Sequence, residues 1–195
     1  MGTAAAYTLF SEDFSSSTLD PAKWDTSMLD GISLPGDGTL KMVDVASGNT
    51  FLFANQVMAG PGSYRFEVDF RTELSNVSSV GTFYDFFSVS LDGVTVVGVD
   101  ATGVTTDPSS TVSVGSFWTH LVYDFTLSGD TDIAPWFALA DQNTDLSQLF
   151  SSDSTVFLHN VQINSVAEPV PEPATLLLVG AGLAGLAVMR KRPRM

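Results

Sequence analysis

Apolar residues along this chain recur at every second position, most strictly over residues 63–73, where Tyr64, Phe66, Val68 and Phe70 alternate with Arg65, Glu67, Asp69, Arg71 and Glu73. A period of two sends each set to its own face of an extended strand, here one face on a core and one in water. Residues 85–99 read as a hairpin about Asp92-Gly93, a two-residue turn of type I′ chemistry. Its register sets Leu91 against Val94 and Val89 against Val96 on the apolar side, and Ser90 against Thr95 on the other. Residues 117–127 predict another long strand, with Phe117, Thr119, Leu121, Tyr123, Phe125 and Leu127 toward the core. Trp118, His120, Val122 and Asp124 then face outward. Further strands are expected over residues 7–14, 32–45, 50–56, 136–140 and 155–164, separated by Gly, Asp, Asn and Pro turns, among them Gly-rich turns at residues 35–38 and 47–49. Residues 99–115 read as a loop with a turn at Asp107-Pro108, and residues 141–153 as a polar loop. Residues 19–24 form at most one helical turn, with Pro21 near its start. The expected fold over residues 7–166 is all-β, an antiparallel two-sheet β-sandwich of jelly-roll type.

The alternation ends at Val170-Pro171-Glu172-Pro173. An uncharged run from Ala174 through Leu178, Leu183 and Leu186 to Met189 follows, and then Arg190, Lys191, Arg192 and Arg194. As a helix the run spans about 24 Å, short of the ~30 Å hydrocarbon core, although a snorkelling basic end makes a marginal span feasible. Its leucines go all round the helix and leave no polar face, which favours a sorting signal or a plain anchor over a core helix. Cations at one end predict that this end stays in the cytoplasm and the preceding chain lies outside. These three features in this order closely resemble the PEP-CTERM sorting signal of exported bacterial proteins. The resemblance implies recognition by an exosortase, cleavage near the Pro-Glu-Pro, and a destination at the cell surface or in an exopolysaccharide matrix. Residues 167–173 are then a Pro-rich linker, and residues 174–195 a single hydrophobic helix with its basic tail.

Charge narrows the partners. Of 22 acidic and eight basic residues, two glutamates and four bases lie from Glu168 onward, so the body holds 20 acids against Lys23, Lys41, Arg65 and Arg71. Nucleic acid is excluded, because it needs a basic footprint. The acids are mostly aspartate, which suits turns and leaves room for loop-bound calcium; no other cofactor is called for. There is no cysteine, so neither disulfides nor thiolate chemistry enter. Residues 1–6 lack the basic and apolar regions of a secretory leader; Ala4, Ala5 and Ala6 read as the remnant of a cleavage site or as a trimmed start.

Residues 10–24, FSEDFSSSTLDPAKW, resemble the opening of bacterial concanavalin-A-like lectin and glucanase domains, and independently Phe14, Leu19 and Trp24 would seat the first strand on the core. Laminarinase-like members of that class carry Glu-x-Asp-x-Glu along one strand. Here Glu67 and Asp69 are present but Arg71 stands in the third place. Glu73 lies ~20 Å from Glu67 along a strand, too far to share one glycosidic bond with it. His120 and His159 are the only histidines and are expected to be structural, with no metal site. No catalytic residue is assigned. Trp118 and Trp136 are the candidates for ligand binding, since flat rings with a polar edge suit pyranose stacking; otherwise Trp118 lies beneath a loop. The reading that results is an exported, non-enzymatic surface or matrix protein, binding polysaccharide. A carbohydrate-active hydrolase and a purely structural matrix protein are the alternatives.

Overall fold

Alternating aromatic and β-branched residues build the strands of the computed structural model, which describes residues 6–44, 49–74, 85–100, 103–140 and 154–166. In chain order these are β1 (Thr8–Glu12), β2 (Ile32–Ser33), β3 (Leu40–Val43), β4 (Asn49–Phe53), β5 (Val57–Ala59), β6 (Gly62–Glu73) and β7 (Phe86–Leu91). They continue with β8 (Val94–Asp100), β9 (Gly103–Thr106), β10 (Ser110–Val114), β11 (Thr119–Leu127), β12 (Thr131–Ile133), β13 (Pro135–Ala140) and β14 (Thr155–Ser165). A seven-stranded sheet runs β10-β11-β6-β14-β3-β2, with β1 added beside β14. A five-stranded sheet runs β4-β13-β7-β8-β9, and β5 pairs with β12 in a small ribbon. All pairings are antiparallel.

The core lies between the two large sheets. Tyr64, Phe66, Val68 and Phe70 of β6 are at most 2% exposed, and Phe70 meets Phe87 of the facing sheet at 5.4 Å between ring centroids. Trp24 anchors one end, with Phe10 edge-on at 5.3 Å, Phe14 at 5.8 Å and Phe137 of the second sheet at 6.3 Å. A single turn delivers this tryptophan. The amides of Lys23 and Trp24 both donate to the Asp20 carbonyl at 2.9 Å, and the Asp20 carboxylate accepts from the Ala22 amide. Pro21 starts that turn at the position where its missing N–H costs nothing. Phe14 and Trp24 are thus core residues, and Leu19, partly buried, packs against the core.

The structure departs from the sequence pattern where alternation carries no signal. Around Asp92 and Gly93, at φ 49° and 77°, the hairpin pairs Leu91 with Val94 and Ser90 with Thr95 as expected. A bulge then sets Val89 against Val97 rather than Val96, and both Val96 and Val97 are buried; one extra residue in a ladder does this while increasing local twist. The expected loop over residues 99–115 is instead β9 and β10, joined at Asp107-Pro108 by a turn in which the Ser110 amide donates to the Asp107 carbonyl at 2.9 Å. Side chains there are mostly exposed, so backbone pairing to β8 and β11 holds these strands, not burial. The turn expected at residues 35–38 does part residues 32–45 into β2 and β3, with Gly36 and Gly38 at φ 85° and 82°. Phe117 is not a core residue: it is 61% exposed and precedes β11, because the Gly115 amide donates to the Trp118 carbonyl and turns the chain.

Among the described residues no helix is long and apolar enough to cross a membrane. The helix expected over residues 174–189 and the loop expected over residues 141–153 lie outside the described residues. Phe66 is fully buried at the centre of β6. Phe66→Ala is therefore expected to lower unfolding free energy by about 3–5 kcal/mol, read as a reduced urea midpoint.

Candidate functional site

Because β6 gives its apolar side chains to the core, Arg65, Glu67, Asp69 and Arg71 stand on the outer face of the seven-stranded sheet. Register fixes their neighbours. Asp69 lies between His120 of β11 and His159 of β14, and Glu67 between Val122 and Gln162. Arg71 is opposite Phe157 of β14, which is in turn opposite Lys41 of β3.

A second bulge adds to this face. Between His159 and Gln162 the register of β14 against β6 slips, and Asn160 takes φ 53°. Left-handed backbone is costly for most side chains and easiest, after Gly, for Asn and Asp. The slip comes where β14 exchanges one neighbour for another, from β3, paired through Leu158, to β1, paired from Val161. Its result is that Val161 is buried while the side chains of His159, Asn160 and Gln162 reach the same outer face. Bulges recur beside functional sites because they re-aim side chains in this way.

At the centre, His120 Nδ1 is 2.6 Å from Asp69 Oδ1. An ionised carboxylate only accepts, so Nδ1 carries the proton, and in the neutral ring Nε2 is left as an acceptor. That Nε2 is 3.8 Å from Glu67 Oε1. On the other side, Asp69 Oδ2 receives Asn160 Nδ2 at 3.5 Å and lies 3.9 Å from His159 Nδ1. Gln162 Nε2 donates to Asn160 Oδ1, and Asn164 Nδ2 to Gln162 Oε1 at 3.2 Å, so the amides form a chain along β14. The Trp118 ring lies 5.6 Å from His159 and closes one end of the row. At the other end Arg65 grips Asp124 with two hydrogen bonds, at 2.7 and 3.0 Å. That grip holds the Asp124 carboxyl below the usual carboxylate range. The arrangement offers carboxylate, imidazole and amide groups to a hydroxyl-rich ligand, with an aromatic ring alongside.

The two tryptophans singled out from sequence do not meet. Trp118 borders the polar row, whereas Trp136 is on β13 of the other sheet, stacked on Phe53 at 5.8 Å, which stacks on Phe51 at 5.7 Å. The two histidines are joined through Asp69, an association that sequence spacing does not announce. Asn160 and Gln162 were not anticipated; the signal for them is the consecutive polar pair His159-Asn160, which breaks the alternation of β14. Among the described residues no three His, Asp or Glu side chains are grouped to hold a metal ion. Val170, Pro171, Glu172 and Pro173, Ala174, Leu178, Leu183, Leu186 and Met189, and Arg190, Lys191, Arg192 and Arg194 all lie outside the described residues.

Residues 169–192 match the family described as the PEP-CTERM protein-sorting motif. The chain thus carries that motif, which marks an exported protein. No curated protein matches the chain. Among solved structures it is similar to a β-1,3-glucanase from Mycobacterium marinum, at 12% identity and TM-score 0.46, covering 80% of this chain and 98% of that one. It is also similar to a glycosyl hydrolase family 16 protein from Mycobacterium smegmatis, at 11% identity and TM-score 0.45, covering 80% and 100%. A third is the CBM22-1 xylan-binding domain of Paenibacillus barcinonensis Xyn10C, at 14% and 0.42, covering 85% and 98%. The expectation of a non-enzymatic protein is corrected here: the similar structures include glucanases and glycosyl hydrolases as well as a xylan-binding domain.

The bulge makes its own prediction. Asn160→Gly and Asn160→Val both lose the side-chain hydrogen bonds of Asn160, but the valine, a branched side chain forced to positive φ, should be less stable than the glycine by about 1–2 kcal/mol; urea unfolding of the two variants side by side measures the difference.

Proposed function

We infer that this is an exported protein that engages polysaccharide on the outer face of its seven-stranded sheet, across β11, β6 and β14. The observation that carries this reading is the row His120, Asp69 and His159, with Glu67, Asn160 and Gln162 beside it and Trp118 at its edge. Hydroxyl groups of a sugar both donate and accept, and the row supplies partners of both kinds; the tryptophan supplies a face for the ring. Trp136, on the other sheet, is not part of this site. The tail is read by an exosortase, after passage of an inner-membrane stage in which residues 174–189 lodge in lipid.

Binding of the full chain in detergent micelles to soluble xylan and β-1,3-glucan tests the site by calorimetry. Trp118→Ala should weaken affinity about three- to tenfold, Asp69→Asn should weaken it further, and Trp136→Ala should leave it unchanged. Equal binding by all three variants would refute the assignment of this face, and no binding by the wild type would leave a structural matrix protein.

A hydrolytic reading is favoured by one detail: His120 is held by Asp69 through Nδ1 and presents Nε2 toward Glu67. Glu67, in its protonated form, would then give its proton to the departing glycosidic oxygen while a water adds to the anomeric carbon and passes its proton to His120 Nε2. Release of reducing ends from the same glucans, abolished by Glu67→Gln with binding retained, is the result expected of an enzyme.

The sorting reading has a separate test. A chain lacking residues 170–195, exported behind a working leader, should be lost to the medium, while the full chain stays on the cells. Equal retention of both would rule out a sorting role for the tail.

A further inference from the structure

The outer face of the seven-stranded sheet changes sign along its length. One row beyond Asp69 on β6 stands Arg71, and its guanidinium carbon lies 4.2 Å from the Phe157 ring centroid, 4.5 Å from that of Phe117 and 5.9 Å from that of Trp118. Lys41 Nζ lies 6.0 Å from the same Phe157 ring on its β3 side. Two of the four basic residues of the body therefore flank one aromatic ring, which itself faces outward.

The other two cations are already matched. Arg65 holds Asp124 with paired hydrogen bonds, and Lys23 sits 3.6 Å from Glu12 while donating to the Ser11 carbonyl. Arg71 is matched weakly: its Nη2 lies 3.4 Å from Glu73, a carboxylate that is 62% exposed, and its Nε, removed from solvent, has no hydrogen-bond partner. Among the described residues Lys41 makes no ion pair. Aromatic faces orient Arg71 without consuming its donors, so a carboxylate arriving at the outward edge of Phe157 would meet a planar, pre-set fork on one side and an ammonium on the other.

The geometry points to a subsite for an acidic sugar, a uronic acid or another carboxylated pyranose, resting on the outward edge of Phe157 with its carboxylate drawn by Arg71 from one side and Lys41 from the other. This rests on the polysaccharide reading of the same face and narrows it: the ligand is a polymer carrying carboxylates at intervals, with neutral hydroxyls directed to the row at Asp69. The strand Glu67-x-Asp69-x-Arg71 would then sort one sugar unit from the next by charge.

The test uses oligogalacturonate and its methyl ester, which share a backbone and differ in charge, with neutral xylan as a third probe, against the full chain in detergent micelles. The free acid should bind about tenfold or more tighter than its ester. Arg71→Gln and Lys41→Gln should each erase that preference without reducing xylan binding. Lys41 lies against one aromatic ring where Arg71 lies against three, so its variant remains decisive if Arg71→Gln unfolds the sheet. Equal affinity for acid and ester, or a preference that survives Lys41→Gln, would overturn the acidic subsite while xylan binding still upheld the polysaccharide reading. No binding of any of the three glycans would overturn both.

Discussion

The inward packing of one strand sets most of what this protein can present to its surroundings. Tyr64, Phe66, Val68 and Phe70 fill the space between two sheets, and a strand cannot turn one side chain without turning all of them. Glu67, Asp69 and Arg71 are therefore held outward by the same apolar burial that holds the sandwich together. A shift of β6 by one residue would put at least three charges into the core, so the site's geometry is protected by the full stability of the fold. The central position of β6, hydrogen-bonded to β11 on one side and β14 on the other, fixes the histidines by register on both sides of Asp69.

The irregularities around this rigid strand are few and local. Asn160 breaks the pairing of β14 at the point where that strand passes from β3 to β1, and the break lets His159 share a face with the amides of Asn160 and Gln162, which strict alternation would have sent to the opposite side. Trp118 stands just before β11, beyond the turn closed at Gly115. A regular scaffold thus carries the charged groups, and its two interruptions carry the amides and the ring. Electrostatically the face is not uniform: carboxylates and imidazoles occupy its middle, and cations wedged among aromatic rings occupy one end.

Much of this was legible from residue order. Strict period two in β6, the Asp92-Gly93 turn and the Asp20-Pro21 turn each appear where local chemistry placed them, because each depends on contacts within a few residues. The β9 and β10 strands were not legible, since exposed Thr, Ser and Val residues there owe their conformation to neighbouring backbone rather than to a buried face. The bulge after Val89 was hidden by two successive valines, either of which satisfies the pattern. Of the site, the outward direction of Glu67, Asp69, Trp118 and His120 could be read from alternation. That His159 joins them could not, because sheet order is a long-range property, and Arg71 read as a solvated charge until Phe117 and Phe157 were seen on either side of it.

The strand that carries the bulge is also the last before the sorting motif. Its final residues are tied on both sides: the Ser165 amide donates to the Tyr7 carbonyl at 2.8 Å and the Val166 amide to the Ser63 carbonyl at 2.8 Å. If the chain is tethered by its C-terminal segment and pulled through whatever its sheet grips, tension enters along the axis of β14. Antiparallel bonds lie across a strand, so such a load strains many of them at once in shear instead of peeling them singly. A tether attached there would share its load among the bonds of β14, in a setting where flow and drag on a bound polymer would be the forces to withstand.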